Sequence, residues 1–203
     1  MLRTICFAVM VLLAPAAMAA GEDVLGPLAP YVRIDPAGKP WRTTLAQDAL
    51  VLENTTEPAA VTYFYLNPER RPLAVRVRVA VDASAAGAGP SAAGLLYALQ
   101  GAGSDRTYFA FVRKGEASVA VFKREGGGFR SMLETRVDGA KPGEPLDLAL
   151  VETPEGVALE VNGGRIAALR SPGTGQGAVG ILALGAGRFA FRDFRLGAGE
   201  GAR

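Results

Sequence analysis

The 203-residue sequence contains no histidine and a single cysteine, Cys6. Ser-His-Asp and Cys-His catalysis are thereby excluded, as are a disulfide framework and a His-rich metal site. Carboxylates, Lys, Tyr, or a hard cation held by oxygen ligands are the chemistry that remains. The nearest carboxylate group is Glu152, Glu155 and Glu160, which straddles a hairpin turn where charge serves solvation. Asp105, Asp138 and Asp147 lack the spacing of a calcium loop and read as turn or exposed strand positions. No catalytic residue, metal or cofactor is expected from this set.

Binding offers more candidates. Trp41, Tyr65, Tyr97 and Tyr108, with Arg113 and with Tyr63 as a further ring, could stack on sugar faces and hold hydroxyls from one sheet. Each ring also has a plain packing role. Alternation puts Tyr108, Ala110 and Val112 on one face of a strand and Phe109 and Phe111 on the other, and either face could be the core. Arg76 and Arg78 could join Arg192 and Arg195 in a basic stripe facing an acidic glycan or an anionic partner, or could simply keep an outer face soluble.

The elements that carry these residues are strands. Residues 73–82 alternate cleanly, with Leu73, Val75, Val77, Val79 and Val81 on one face and Ala74, Arg76, Arg78 and Ala80 on the other. Residues 146–151 and 157–161 repeat the pattern around a turn, and Asn162-Gly163-Gly164 is a strong hairpin signal because Asn and Gly accept positive φ cheaply. Two polar residues side by side, Arg192-Asp193, predict a bulge in the last strand. Further strands are expected at 41–44, 49–53, 60–66, 95–100, 106–113, 118–124, 129–137, 165–169 and 178–184. Residues 84–94 read as a low-complexity loop, and 22–40, with four prolines, as an arm carrying one short strand near 31–34. Asn54-Thr55-Thr56 reads as a turn. About 11 to 13 short strands and no amphipathic helix predict a single all-β domain, a two-sheet antiparallel sandwich or a barrel.

The closing stretches "GVALEVNGGRI" and "GQGAVGILALGAGRFAFRDFRL" resemble the second half of a concanavalin A-like, laminin G-like jelly roll, and residues 94–134 resemble its central strands. The nearest flavour is the bacterial 3-keto-disaccharide hydrolase-type domain. The resemblance implies a jelly-roll fold, a strand beginning near Leu95 at the centre of one sheet and the Tyr108 strand beside it. The Glu-x-Asp-x-Glu strand of the superfamily's glucanases is absent, so no catalytic role carries over.

The N-terminus reads as a secretory signal peptide: Arg3, an apolar run over 5–13, and Ala17-Met18-Ala19 as a small-x-small cleavage site. The expected organisation is 1–19 signal, 20–40 arm, 41–198 sandwich and 199–203 tail, giving a periplasmic or secreted protein with no stable membrane insertion. Loss of Arg3 leaves a net charge of +1 from the +2 of the whole chain, with the charges scattered, so no nucleic-acid partner is expected. The expectation is a non-catalytic module for a carbohydrate or an extracytoplasmic protein. The alternatives are a carbohydrate-active hydrolase or lyase using carboxylates only, and a structural accessory protein.

Overall fold

The computed structural model describes residues 24–34, 40–46, 48–83, 91–170 and 176–199. The expected signal segment, residues 84–90 of the expected loop and the last residues of the expected tail lie outside the described residues. Among those described, the strands are β1 Arg42–Ala46, β2 Ala49–Asn54, β3 Val61–Leu66, β4 Leu73–Asp82, β5 Ser91–Gln100, β6 Thr107–Lys114 and β7 Ser118–Glu125. They continue as β8 Gly128–Arg136, β9 Leu146–Thr153, β10 Gly156–Val161, β11 Gly164–Arg170, β12 Ala178–Gly185 and β13 Gly187–Ala198. No described helix is long and apolar enough to cross a membrane.

Every ladder is antiparallel. One sheet has the order β1-β2-β13-β4-β9-β10-β11, and the other β3-β12-β5-β6-β7-β8. Sequence-distant strands therefore lie side by side in both layers, which is the jelly-roll arrangement. The core between the layers follows the alternation: Val75, Val77, Val79 and Val81 of β4 are 0–2 % exposed while Arg76 and Arg78 face solvent. Each such burial is worth roughly 1.5–3 kcal/mol. Phe189, Phe191 and Phe194 of β13 and Leu146, Leu148 and Leu150 of β9 complete this side.

Two backbone devices behave as the sequence predicts. Asn162 and Gly163 have φ of 50° and 79°, the double left-handed turn that matches strand twist. The register of β13 against β4 shifts between Arg192 and Arg195, with Asp193 at φ 53° forming the bulge.

Two expectations are corrected. The segment near 31–34 is no strand; a 3-10 turn, Gly26–Tyr31, precedes it and lowers Leu25 and Leu28 into the core against β13 and β3. Pro27 and Pro30 suit such a turn and cannot donate to a ladder. The expected loop also ends early, because Ser91 to Gly94 already belong to β5. Their small side chains fit a strand hemmed in on both flanks: a Cβ at Gly94 would run into the Phe111 carbonyl oxygen and lie 2.8 Å from the Val112 Cα.

Candidate functional site

The feature that stands apart is the outer face of the six-stranded sheet. Outer faces of sandwiches are normally polar. Here cross-strand neighbours set two rows: Tyr63, Leu182, Gly94, Val112 and Ala120 in one, Tyr65, Gly180, Leu96, Ala110 and Phe122 in the next. Small and aliphatic residues occupy the middle, and rings stand at the flanks. Leu96, Ala110, Val112, Ala120 and Leu182 are all 0 % exposed, forming a second apolar cluster on which Tyr63, Phe122 and Leu184 pack.

Over this floor runs an unbroken chain of rings. Tyr65 and Tyr63 lie 5.9 Å apart, Tyr63 and Tyr108 6.0 Å, Tyr108 and Phe129 6.1 Å, and Phe129 and Phe122 6.4 Å between centroids, all tilted or edge-on as aromatic quadrupoles prefer. The chain spans the sheet from β3 to β8. Tyr65 at 38 % and Phe129 at 41 % exposure present ring surface to solvent. Beside it a mostly apolar hollow of about 340 Å³ opens between Pro58, Val61, Ala92, Phe122, Phe129 and Leu184, with Lys114 at its wall.

Cations frame the rings. The Arg106 guanidinium sits 5.4 Å from the Tyr63 centroid and donates to the Tyr63 hydroxyl, and Arg124 sits 5.5 Å from the Phe129 centroid. Lys114 is paired with Glu134. Burial pushes the Tyr108 phenol up, and Arg124 and Arg106 pull it the other way, so both cations are felt at the same ring.

The predicted site residues part company here. Tyr65 lies on this face and is exposed; Tyr108 lies on it but is 2 % exposed, supporting Tyr63 and Phe129 rather than meeting solvent itself. Tyr97 points the opposite way, into the core, where its hydroxyl donates to Glu152 at 2.7 Å. The bulge in β5 between Tyr97 and Gln100 does not bring it back. Arg113 is 0 % exposed and also faces inward, donating to the carbonyl oxygens of Lys141 at 2.9 Å and Val81 at 3.4 Å while its Nε has no partner. Burial lowers its pKa. Trp41 packs on Phe189 at 5.8 Å at the edge of the other sheet. Tyr97 and Arg113 thus turn away from solvent, and the half-buried Trp41 stands at the edge of the other sheet, so the three do not form one platform.

The four arginines do converge, since Arg192 stands opposite Arg78 and Arg195 opposite Arg76. They do not form a basic face. Arg76 pairs with Glu160, Arg78 with Asp147 and Asp193, Arg192 with Asp48 and Arg195 with Asp193, a lattice that relieves the like-charge opposition.

Sequence reasoning missed Phe122, Phe129, Arg106 and Arg124. A faint signal existed, because β6, β7 and β12 carry apolar residues at both parities, which alternation cannot rank. It also misread Glu152. Expected as a solvated turn residue, it is 3 % exposed and accepts from Arg71, from the Leu73 backbone N–H at 2.9 Å and from Tyr97. The nearby hollow of about 740 Å³ is lined by Arg71, Asn67 and Tyr31, and Glu69 is its single lining carboxylate among the described residues. Acid–base hydrolysis of a glycoside uses two. No trio of acidic or Cys side chains converges among the described residues.

No protein-family model matches the chain, and no curated protein is significantly similar to it. Solved structures are similar to it in fold. The potassium-bound carbohydrate recognition domain of Emp46p superposes with a TM-score of 0.61 at 12 % identity, covering 88 % of this chain and 98 % of that one. A protein of unknown function with a galectin-like fold from Bacillus subtilis gives 0.53 at 15 % identity, covering 77 % and 85 %. The GH43 protein BlXynB from Bacillus licheniformis gives 0.52 at 15 % identity, covering 80 % of this chain and 35 % of that one. The chain therefore has an all-β, two-sheet antiparallel jelly-roll sandwich fold of the concanavalin A-like kind.

Proposed function

We propose that the protein is an exported, non-catalytic carbohydrate-binding module whose ligand lies across the outer face of the six-stranded sheet. The observation that carries the reading is the ring chain Tyr65–Tyr63–Tyr108–Phe129–Phe122, a shallow aromatic surface resting on a rigid, close-packed floor. A pyranose presents an apolar C–H face and a rim of hydroxyls. Rings held in place by packing receive the first with little loss of side-chain freedom, and Arg106, Arg124, Lys114 and the Tyr65 hydroxyl are donors for the second. Fold likeness to a carbohydrate recognition domain is consistent with this use. Export rests on the Arg3, 5–13 and Ala17-Met18-Ala19 pattern, and the periplasm or the exterior is where such a module would meet a glycan. The resemblance to the 3-keto-disaccharide hydrolase-type domain supplies no catalytic residue here.

A glycan array probed with the purified exported chain, followed by calorimetry on the hits, is the test. Tyr65→Ala and Phe129→Ala should each weaken binding by roughly three- to tenfold, the worth of one exposed stacking contact. Both rings are partly exposed, so melting temperature should move by only a few degrees. Trp41→Phe should leave affinity unchanged. Silence across the array, or binding indifferent to both ring deletions, would remove the reading.

A further inference from the structure

The charge on this face is one-sided. Register places Lys114, Arg124 and Arg136 on the outer side of the six-stranded sheet with Glu134 as the carboxylate among them, and the bond to the Tyr63 hydroxyl puts Arg106 there too. Glu134 is taken by Lys114. Arg124 meets no carboxylate among the described residues, and Arg106 donates to a neutral phenol. The opposite sheet supplies the contrast within one molecule: there Arg76, Arg78, Arg192 and Arg195 each face an acidic partner. A solvent-facing arginine gains little from stacking on a ring alone. Stacking on a ring restrains a guanidinium while leaving N–H groups for a ligand, and a guanidinium can grip a carboxylate or sulfate with two parallel bonds.

We propose that the ligand of this face is an anionic polysaccharide, its sugar rings on the aromatic chain and its carboxylate or sulfate groups at Arg124 and Arg106. This rests on the glycan reading above and adds the charge of the ligand. It commits to a polymer of acidic sugars because the ring chain runs the width of the sheet while the cations flank it, so alternating apolar and anionic contacts are met along one strand of saccharide.

The experiment compares polymers that share a backbone and differ in charge: polygalacturonate with methyl-esterified pectin, carboxymethyl-cellulose with hydroxyethyl-cellulose, and chondroitin sulfate with its desulfated, methyl-esterified form. Calorimetry should show the acidic member of at least one pair binding about tenfold tighter at 10 mM salt. The preference should vanish at 1 M, where the screening length falls from about 30 Å to about 3 Å. Arg106→Gln and Arg124→Gln should each cost roughly three- to fivefold, Arg124→Lys less, and Arg195→Gln on the far sheet nothing. Equal binding of charged and neutral partners overturns the charge inference and leaves the glycan reading standing, as does capture of neutral glycans alone on the array. A preference reduced as much by Arg195→Gln as by Arg124→Gln overturns the placement. Failure of every polymer and of the array sinks both.

Discussion

Glu152 shows how much one side chain can hold at the end of a sandwich. Its carboxylate ties Arg71, just before β4, and the Leu73 N–H at the start of β4 to Tyr97 in the facing sheet. Glu152→Ala leaves Arg71 and a phenol without their acceptor in a buried place, and should cost about 3–5 kcal/mol by denaturant melts. Glu152→Gln should cost less, and Tyr97→Phe about 1–2 kcal/mol, with ligand affinity unchanged in the last because Tyr97 faces the core. Burial first, then the bond to Glu152, holds the Tyr97 phenol above its ordinary value of 10.0. A group whose native pKa is raised contributes stability that is whole below about pH 10 and lost as pH climbs through the native value. Alkaline melts of Tyr97→Phe should therefore fall less steeply than those of the parent. Asn54 belongs to the same class. Its amide donates to the Glu57 and Gly185 carbonyl oxygens at 2.8 and 2.9 Å and its oxygen accepts from Thr56 and Glu57. At 1 % exposure Asn54 clamps the turn, and Asn54→Ala should cost about 2 kcal/mol.

At the scale of elements, β12, β5 and β6 carry the floor on which the ring chain rests. Gly180 in β12 has no room for a side chain: a Cβ would collide with the Phe64 carbonyl oxygen and lie 2.7 Å from the Tyr65 Cα. Gly180→Ala should push β3 away, costing more than about 2 kcal/mol and displacing Tyr63 and Tyr65 from the face. The check is loss of glycan affinity together with stability, in contrast to Tyr65→Ala, which should lose affinity alone. These strands also explain why the site was hard to read. β4 is apolar on one parity and charged on the other, so its core face was plain. β5 and β6 are buried on both faces, and the run Ser91-Ala92-Ala93-Gly94 looked like a linker because the residues that fit a crowded central strand are those that fill loops.

For the whole molecule, the two sheets divide the labour. The seven-stranded sheet turns a lattice of matched charges outward, and the six-stranded one a cationic aromatic surface. Chain-local information was enough for the all-β class, the Asn162-Gly163 turn and the Arg192-Asp193 bulge, because period-two alternation and positive φ are properties of neighbouring residues. It was also enough to exclude His and Cys catalysis, since composition needs no coordinates. Only the tertiary structure could send Tyr97 inward and Tyr65 outward, discharge the four arginines against acids as far away as Asp48, and join rings from β3, β6, β7 and β8 into one surface. Those outcomes hang on which strands become neighbours in a jelly roll, and that pairing is a contest among whole strands that no single stretch of chain encodes.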